Sequence, residues 1–247
     1  MIRRLLLASV LGSCPVLAQR ETYTNTNGWI AWFNDIELSP NWAIDSDLNV
    51  RRSGPYDEVS QYLWRVSLRR NLASNVRVAV GYAGTDTHPY GSLPIALRTP
   101  EHRVFEQLQL GHATGRVNWT HRYRFEQRWA GRMALEGGEP AVQDWIRTNR
   151  GRYLVRATVP LQGSSLDANE WFVTIADELF MNWGANIQQN VFDQNRLMAT
   201  FGRRFGSRVR FEVGYLEHLV ERPSGRQLER NHTILTTLTT SMKWPGR

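Results

Sequence analysis

Arg122, Arg124 and Arg128 stand at even spacing within RVNWTHRYRFEQRW, from Arg116 to Trp129, and the spacing recurs in Arg65 with Arg69 and Arg152 with Arg156. Arg77, Arg196, Arg204 and Arg210 sit at the matching parity of their own stretches, as do Asp45, Asp47, Glu126, Glu178 and Glu212. A guanidinium fork engages two carboxylate or phosphate oxygens at once and keeps its charge at any ordinary pH. Such a set on one surface builds either a salt-bridged wall or a basic channel for small anions. The six histidines, His88, His102, His112, His121, His218 and His232, show no metal-ligand spacing. His121 lies on the apolar parity, where a serine partner would make a hydrolase pair. Ser46 shares that parity, yet nothing in the chain order brings the two together. Asp177 and Glu178 are neighbours, and in a strand they point to opposite faces, with Glu178 expected on the arginine side. There is no glycine-rich phosphate loop, nucleophile elbow or Cys/His cluster, so neither catalysis nor a cofactor nor a metal is expected.

The element that positions such a set has a side-chain period of two, which is a β-strand. Opposite the arginines of this stretch stand Val117, Trp119, His121, Tyr123, Phe125, Gln127 and Trp129. The same alternation recurs in about eleven stretches, among them 42–51, 61–69, 76–82, 152–159, 171–176, 196–202, 208–215 and 234–244; 28–38 and 103–112 are weaker. Many are longer than the usual soluble strand of about 5–6 residues and approach the roughly 9–11 of a tilted membrane strand. Short turns are expected at Ser39-Pro40-Asn41, Ala73-Ser74-Asn75, Ala113-Thr114-Gly115 and Gly206-Ser207, with a longer one at 162–169. Between them fall longer loops at 53–58, 85–101, 130–146, 182–193 and 222–229. Sorting short turns to one end and long loops to the other is the asymmetry of an outer-membrane barrel. Trp42, Trp119, Trp129, Trp171, Tyr215 and Trp244 fall near strand ends, as interfacial girdles require.

The opening MIRRLLLASVLGSCPVLAQ has a basic start at Arg3 and Arg4 and an apolar run from Leu5 to Leu17, and it reads as a secretory signal over 1–18. The rival is a lipoprotein signal with Cys14, the single cysteine, as the lipidated residue. Losing Arg3 and Arg4 lowers the formal charge of +7 to +5. Lys243 is the only lysine, a bias that a GC-rich genome produces by itself. The arginines alternate with apolar residues instead of clustering, which together with secretion argues against nucleic acid. No stretch of the mature chain is apolar for the roughly 18 residues of a membrane helix.

The second half resembles a known family. FDQNRLMATFGRRF (Phe192 to Phe205), ADELFMNWG (Ala176 to Gly184), VGYLEHLV (Val213 to Val220) and RNHTILTTL (Arg230 to Leu238) are similar to the outer-membrane β-barrel family catalogued as domain of unknown function 2490. HRYRFEQRW (His121 to Trp129) and GRYLVRATVPL (Gly151 to Leu161) resemble it as well. The resemblance runs from about Arg103 to Met242 and implies fold and location without an activity. Outer-membrane barrels commonly finish on an aromatic residue, whereas Trp244 is followed here by Pro245-Gly246-Arg247.

The expectation is therefore an all-β chain: a signal over 1–18, then one antiparallel transmembrane barrel over 19–247 in the outer membrane of a Gram-negative bacterium. An even strand number keeps the closing pair antiparallel. Residues 19–27 as a short outward strand, with Asn27-Gly28 as the turn, would bring the total to about twelve; ten, or a threaded N-terminus, is the alternative. Lipid, lipopolysaccharide and the barrel-insertion machinery are the expected partners, with small anionic solutes if the interior conducts. A lipid-modifying hydrolase and a soluble periplasmic β-sheet binding protein are the competing classes.

Overall fold

The computed structural model describes residues 20–54, 56–163 and 165–244. Arg3, Arg4 and Cys14, on which the signal and lipidation readings rest, lie outside the described residues, as does the Pro245-Gly246-Arg247 end. Eleven strands close into one barrel: β1 (Glu21–Ser39), β2 (Trp42–Ser53), β3 (Glu58–Ala73), β4 (Val76–Thr87), β5 (Thr99–Thr114), β6 (Val117–Glu136), β7 (Glu139–Pro160), β8 (Trp171–Trp183), β9 (Phe192–Phe205), β10 (Val209–Glu221) and β11 (Gln227–Lys243). Each strand pairs antiparallel with its neighbour in sequence, and β1 closes on β11 in parallel. No helix of the described residues is long and apolar enough to cross a membrane, a criterion that does not bear on strands.

The strand number corrects the expectation of twelve. Of residues 19–27, Gln19 lies outside the described residues, and 20–27 do not form a separate strand. β1 runs through Asn27-Gly28 without turning, and Gly28 does not take the positive φ that an Asn-Gly turn requires. Continuous pairing from Glu21↔Gln227 to Glu37↔Lys243 holds the segment straight. The closing pair is parallel because an odd number of alternating strands leaves the first and last pointing the same way.

A second correction concerns 130–146, expected as a loop. β6 and β7 instead continue as a paired hairpin to Glu136↔Glu139, with one bulge at Arg132/Met133. Gly137 and Gly138 make the turn at φ 61° and 91°, the double positive φ of a tight hairpin connection. The other connections sort as anticipated: short ones gather at the end holding Ser39, apart from 161–170, and 54–57, 88–98, 184–191 and 222–226 lie at the opposite end.

Side chains alternate between the two surfaces of the wall. Ile175, Val80 and Leu48 are 60%, 53% and 52% exposed on the outside, while Phe105, Phe172, Phe180 and Leu216 are at most 2% exposed inside. Space for the interior is made by small residues. Ala79, Gly81 and Ala83 face inward on β4, and a Cβ on Gly81 would come within 2.5 Å of the Phe105 ring and of Ser67.

Candidate functional site

The interior is polar, and its centre is Glu126 on β6, 1% exposed. Register sets Arg150 of β7 directly opposite it and Arg152 opposite Arg124. Arg150 therefore donates to Glu126 Oε2 from Nη2 at 2.5 Å and Nε at 2.9 Å, and Arg152 Nη1 to Oε1 at 2.7 Å. Arg150 also reaches Asp193 at 2.9 Å, and Glu178 of β8 accepts from Arg152 and from Arg122, each at 2.8 Å. Two acids thus hold three arginines, and each acid lies between like charges that would otherwise repel.

Three further clusters surround this one. Glu101 takes Arg103 at 2.7 Å and Arg128 at 2.6 Å. Asp47 takes Arg65 at 2.7 Å, while Arg69 bridges Asp45 at 3.0 Å and Asp35 at 2.5 Å. Arg156 reaches Glu212 at 2.8 Å, and Thr200 donates to the same carboxylate at 2.7 Å. Buried carboxylates with two charged donors each, as at Glu126, Glu178 and Glu101, are the arrangement that compensates desolvation.

Several sequence-selected arginines stay outside these pairs. Arg77, Arg196, Arg204 and Arg210 have no carboxylate within 4.0 Å among the described residues. Arg204 donates to the carbonyls of Leu166 and Ser207, at 2.5 and 3.2 Å. Arg124 makes its hydrogen bonds to Gln107, at 2.6 and 2.9 Å, with Glu126 at the 4.0 Å limit, and lies 4.3 Å over the Phe105 ring.

Arg51, Arg103, Arg150, Asp35, Glu101 and Asp193 belong to the interior as well. Arg51 ends the alternation 43–51 and was readable from it. Asp193 was not, because a bulge between Phe180 and Met181 turns both it and Gln194 inward.

The end of the barrel with the long connections is covered. Loop 88–98 joins β4 to β5 yet reaches β1 and the connection between β10 and β11. There Ser92 donates its amide and hydroxyl to Asn25 Oδ1 at 2.9 and 3.0 Å, and Arg222 donates to the Leu93 carbonyl. Burial pushes the Tyr90 phenol of this loop up, and the Glu229 carboxylate adds to the effect. A cavity of about 320 Å³ lies within the barrel and one of about 450 Å³ toward the short-turn end; Arg122, Leu154, Arg156 and Arg210 line both.

The outer face carries no constellation of reacting groups among those singled out. His121 Nδ1 lies 2.9 Å from the Tyr153 hydroxyl, and Ser46 on β2 is separated from β6 by β3, β4 and β5. Asp177 faces outward and accepts from Asn195 at 2.7 Å, with Glu178 facing in. Among the described residues no three His, Cys, Asp or Glu side chains come together as metal ligands.

Fold and site define a closed β-barrel with an apolar outside and an ion-paired, arginine-rich inside. Within that class the chain belongs to the family described as protein of unknown function (DUF2490), whose model matches residues 26–229. The match starts in β1, well ahead of the motifs that first carry the resemblance. No curated protein and no solved structure matches the chain.

Proposed function

We propose that this chain is an outer-membrane β-barrel whose interior is held shut by ion-paired arginines, a structural barrel and not an open porin. The observation that carries the reading is the apolar exterior around a charged inside. Soluble proteins rarely expose contiguous apolar area beyond a few hundred Å², whereas here large apolar side chains are exposed on every one of β1 to β11. Lipid is the solvent that such a wall fits, and polar residues then belong inside. Lipid and lipopolysaccharide would contact the wall, and the barrel-insertion machinery would place it. Neither catalysis nor a cofactor is part of this reading.

The test is where the protein goes. Fractionation should recover it with the outer membrane, and the unboiled protein should migrate as a compact band that shifts on heating. Recovery in the soluble periplasmic fraction would return the chain to the soluble β-sheet binding class. Hydrolysis of lipid that disappears on a single serine-to-alanine substitution would return it to the hydrolases. A narrow anion-preferring pore is the second reading, favoured by the arginines at the short-turn end that lack carboxylates.

A further inference from the structure

Arg51, Arg122 and Arg196 line the cavity of about 320 Å³ inside the barrel, and the Nε of each is buried without a hydrogen-bond partner. Arg51 and Arg196 stand out further. Their side-chain partners are neutral amides, Gln61 at 2.6 Å and Gln194 at 2.9 Å, with no carboxylate within 4.0 Å among the described residues. Both guanidinium groups lie against the same ring, 4.0 Å and 5.1 Å from the centroid of Trp29. A cation–π contact offsets part of the cost of removing such a charge from water, but two like charges on one indole repel each other. Arg122, Arg150 and Arg152 in the centre each hold a carboxylate within 2.8 Å, which this pair does not.

We infer that this cavity is a binding site for a small organic anion. A carboxylate or phosphate head sits between Arg51 and Arg196, where it supplies the counter-charge that no carboxylate within 4.0 Å provides, and a short apolar or aromatic body lies along Leu216 and Leu235, which line the same space. The volume is near the lower end of ligand pockets, about 300–1,000 Å³, so a lipid A or an oligosaccharide does not fit. Entry is from the short-turn end. The larger cavity there shares Arg122, Arg156 and Arg210 with the inner one and adds Arg204, so an anion meets positive charge along the way. Loop 88–98 covers the opposite mouth, which makes the site a blind pocket. This rests on the closed-interior reading proposed above and not on which membrane surrounds the wall.

The test uses the full mature chain, folded in detergent, with fluorine NMR of 4-fluorobenzoate and 4-fluorophenyl phosphate. Neutral 4-fluorobenzyl alcohol reports partition into the micelle. Saturable broadening of at least one anion, and none of the alcohol beyond empty micelles, is expected, and the better-bound anion identifies the head group. Arg51→Gln with Arg196→Gln should weaken binding at least tenfold. It should also raise the melting temperature of the empty barrel, because two like charges against one ring are gone, and abolish the upward shift that the anion gives the parent. Binding by the double variant equal to the parent's, or a double variant that melts lower when empty, would overturn the site. Absence of saturable binding to a barrel that still shows the heat-shifted band discards the pocket alone. Saturable binding by a protein recovered from the soluble periplasm keeps the pocket and discards the membrane reading.

Discussion

Asn27 donates its side-chain amide to Asn231 Oδ1 at 3.0 Å, across the one parallel pairing of the barrel. Asn25 donates to the same oxygen at 3.1 Å, and Asn231 returns an amide to the His218 carbonyl at 3.2 Å. Parallel ladders are slanted and slightly less stable per residue than antiparallel ones. A slip of one residue would turn the inner set of β1 outward. The three asparagines oppose that slip, since they bond only in the register observed.

Asn231→Ala should therefore weaken the whole barrel. Two amide donors lose their acceptor at a site where Asn231 is 0% exposed, which costs about 1–3 kcal/mol. The urea midpoint of the folded band should fall accordingly. An unchanged midpoint would mean that the closing pair does not depend on these bonds.

The parity of the strands was legible because one face is charged and the other is not. RVNWTHRYRFEQRW shows this over its whole length, and Arg122, Arg124, Glu126 and Arg128 face inward in β6. Strand number was harder to read. Asn27-Gly28 carries a turn dipeptide, and its pairing with β11 on one side and β2 on the other overrides it. The β6–β7 extension was missed because the residues flanking Gly137-Gly138 alternate weakly, and their pairing extends a hairpin already begun below. Arg150 falls just ahead of the alternation that begins at Arg152 and so carries no signal of its own. Asp193 depends on a bulge, which leaves no mark in a period of two. Aromatic character alone does not choose a face either: Trp29, Phe105, Phe172 and Phe180 pack inside, where small residues such as Gly81 make room.

Glu126→Gln should be among the most damaging single changes. It leaves Arg150 and Arg152, both under 10% exposed, without one of their carboxylates, and breaking a buried pair costs about 3–5 kcal/mol. The contrast is Asp144→Asn on the projecting hairpin. Its pair with Arg132 is 59% and 62% exposed, and exposed pairs contribute about 0–1 kcal/mol. Equal losses of stability from the two substitutions would contradict the interior role of Glu126.

Val155 and Arg156 should respond oppositely to exchange of character. Val155 is on the outer face and Arg156 reaches Glu212 inside at 2.8 Å. If the exterior meets a bilayer near its midplane, Val155→Arg costs about 2–4 kcal/mol. Arg156→Val acts through Glu212, whose carboxylate keeps only Thr200 as a side-chain partner. A spin label at position 155 should be quenched by a lipid-phase relaxant and one at 156 should not; the reverse outcome would overturn the register.

Loop 88–98 should loosen in alkali. Burial raises the Tyr90 phenol above its ordinary 10.0, so the docked loop keeps a proton that the released loop gives up. The stabilisation is complete below about pH 10 and is lost as pH rises through the raised value. A spin label at Ala96, an exposed position of the loop, should gain mobility in that range, and Tyr90→Phe should remove the transition.

The charge inside sets what could pass if the barrel conducts at all. The sequence-selected set held eleven inward arginines and five acids. The structure adds Arg51, Arg103 and Arg150 on one side and Asp35, Glu101 and Asp193 on the other, so the excess of positive charge is unchanged. At the covered mouth Glu221 pairs with Arg20 and Glu229 with Arg222, which neutralises that end. The excess therefore falls in the middle and at the short-turn end, around Arg196, Arg204 and Arg210. Low-dielectric walls focus such a field and concentrate anions. In a planar bilayer under a salt gradient, any conductance should show an anion-selective reversal potential, and Arg124→Glu with Arg156→Glu should move it toward zero. Cation selectivity would sink the assignment of a net positive interior, and a silent membrane would support the closed barrel over the pore.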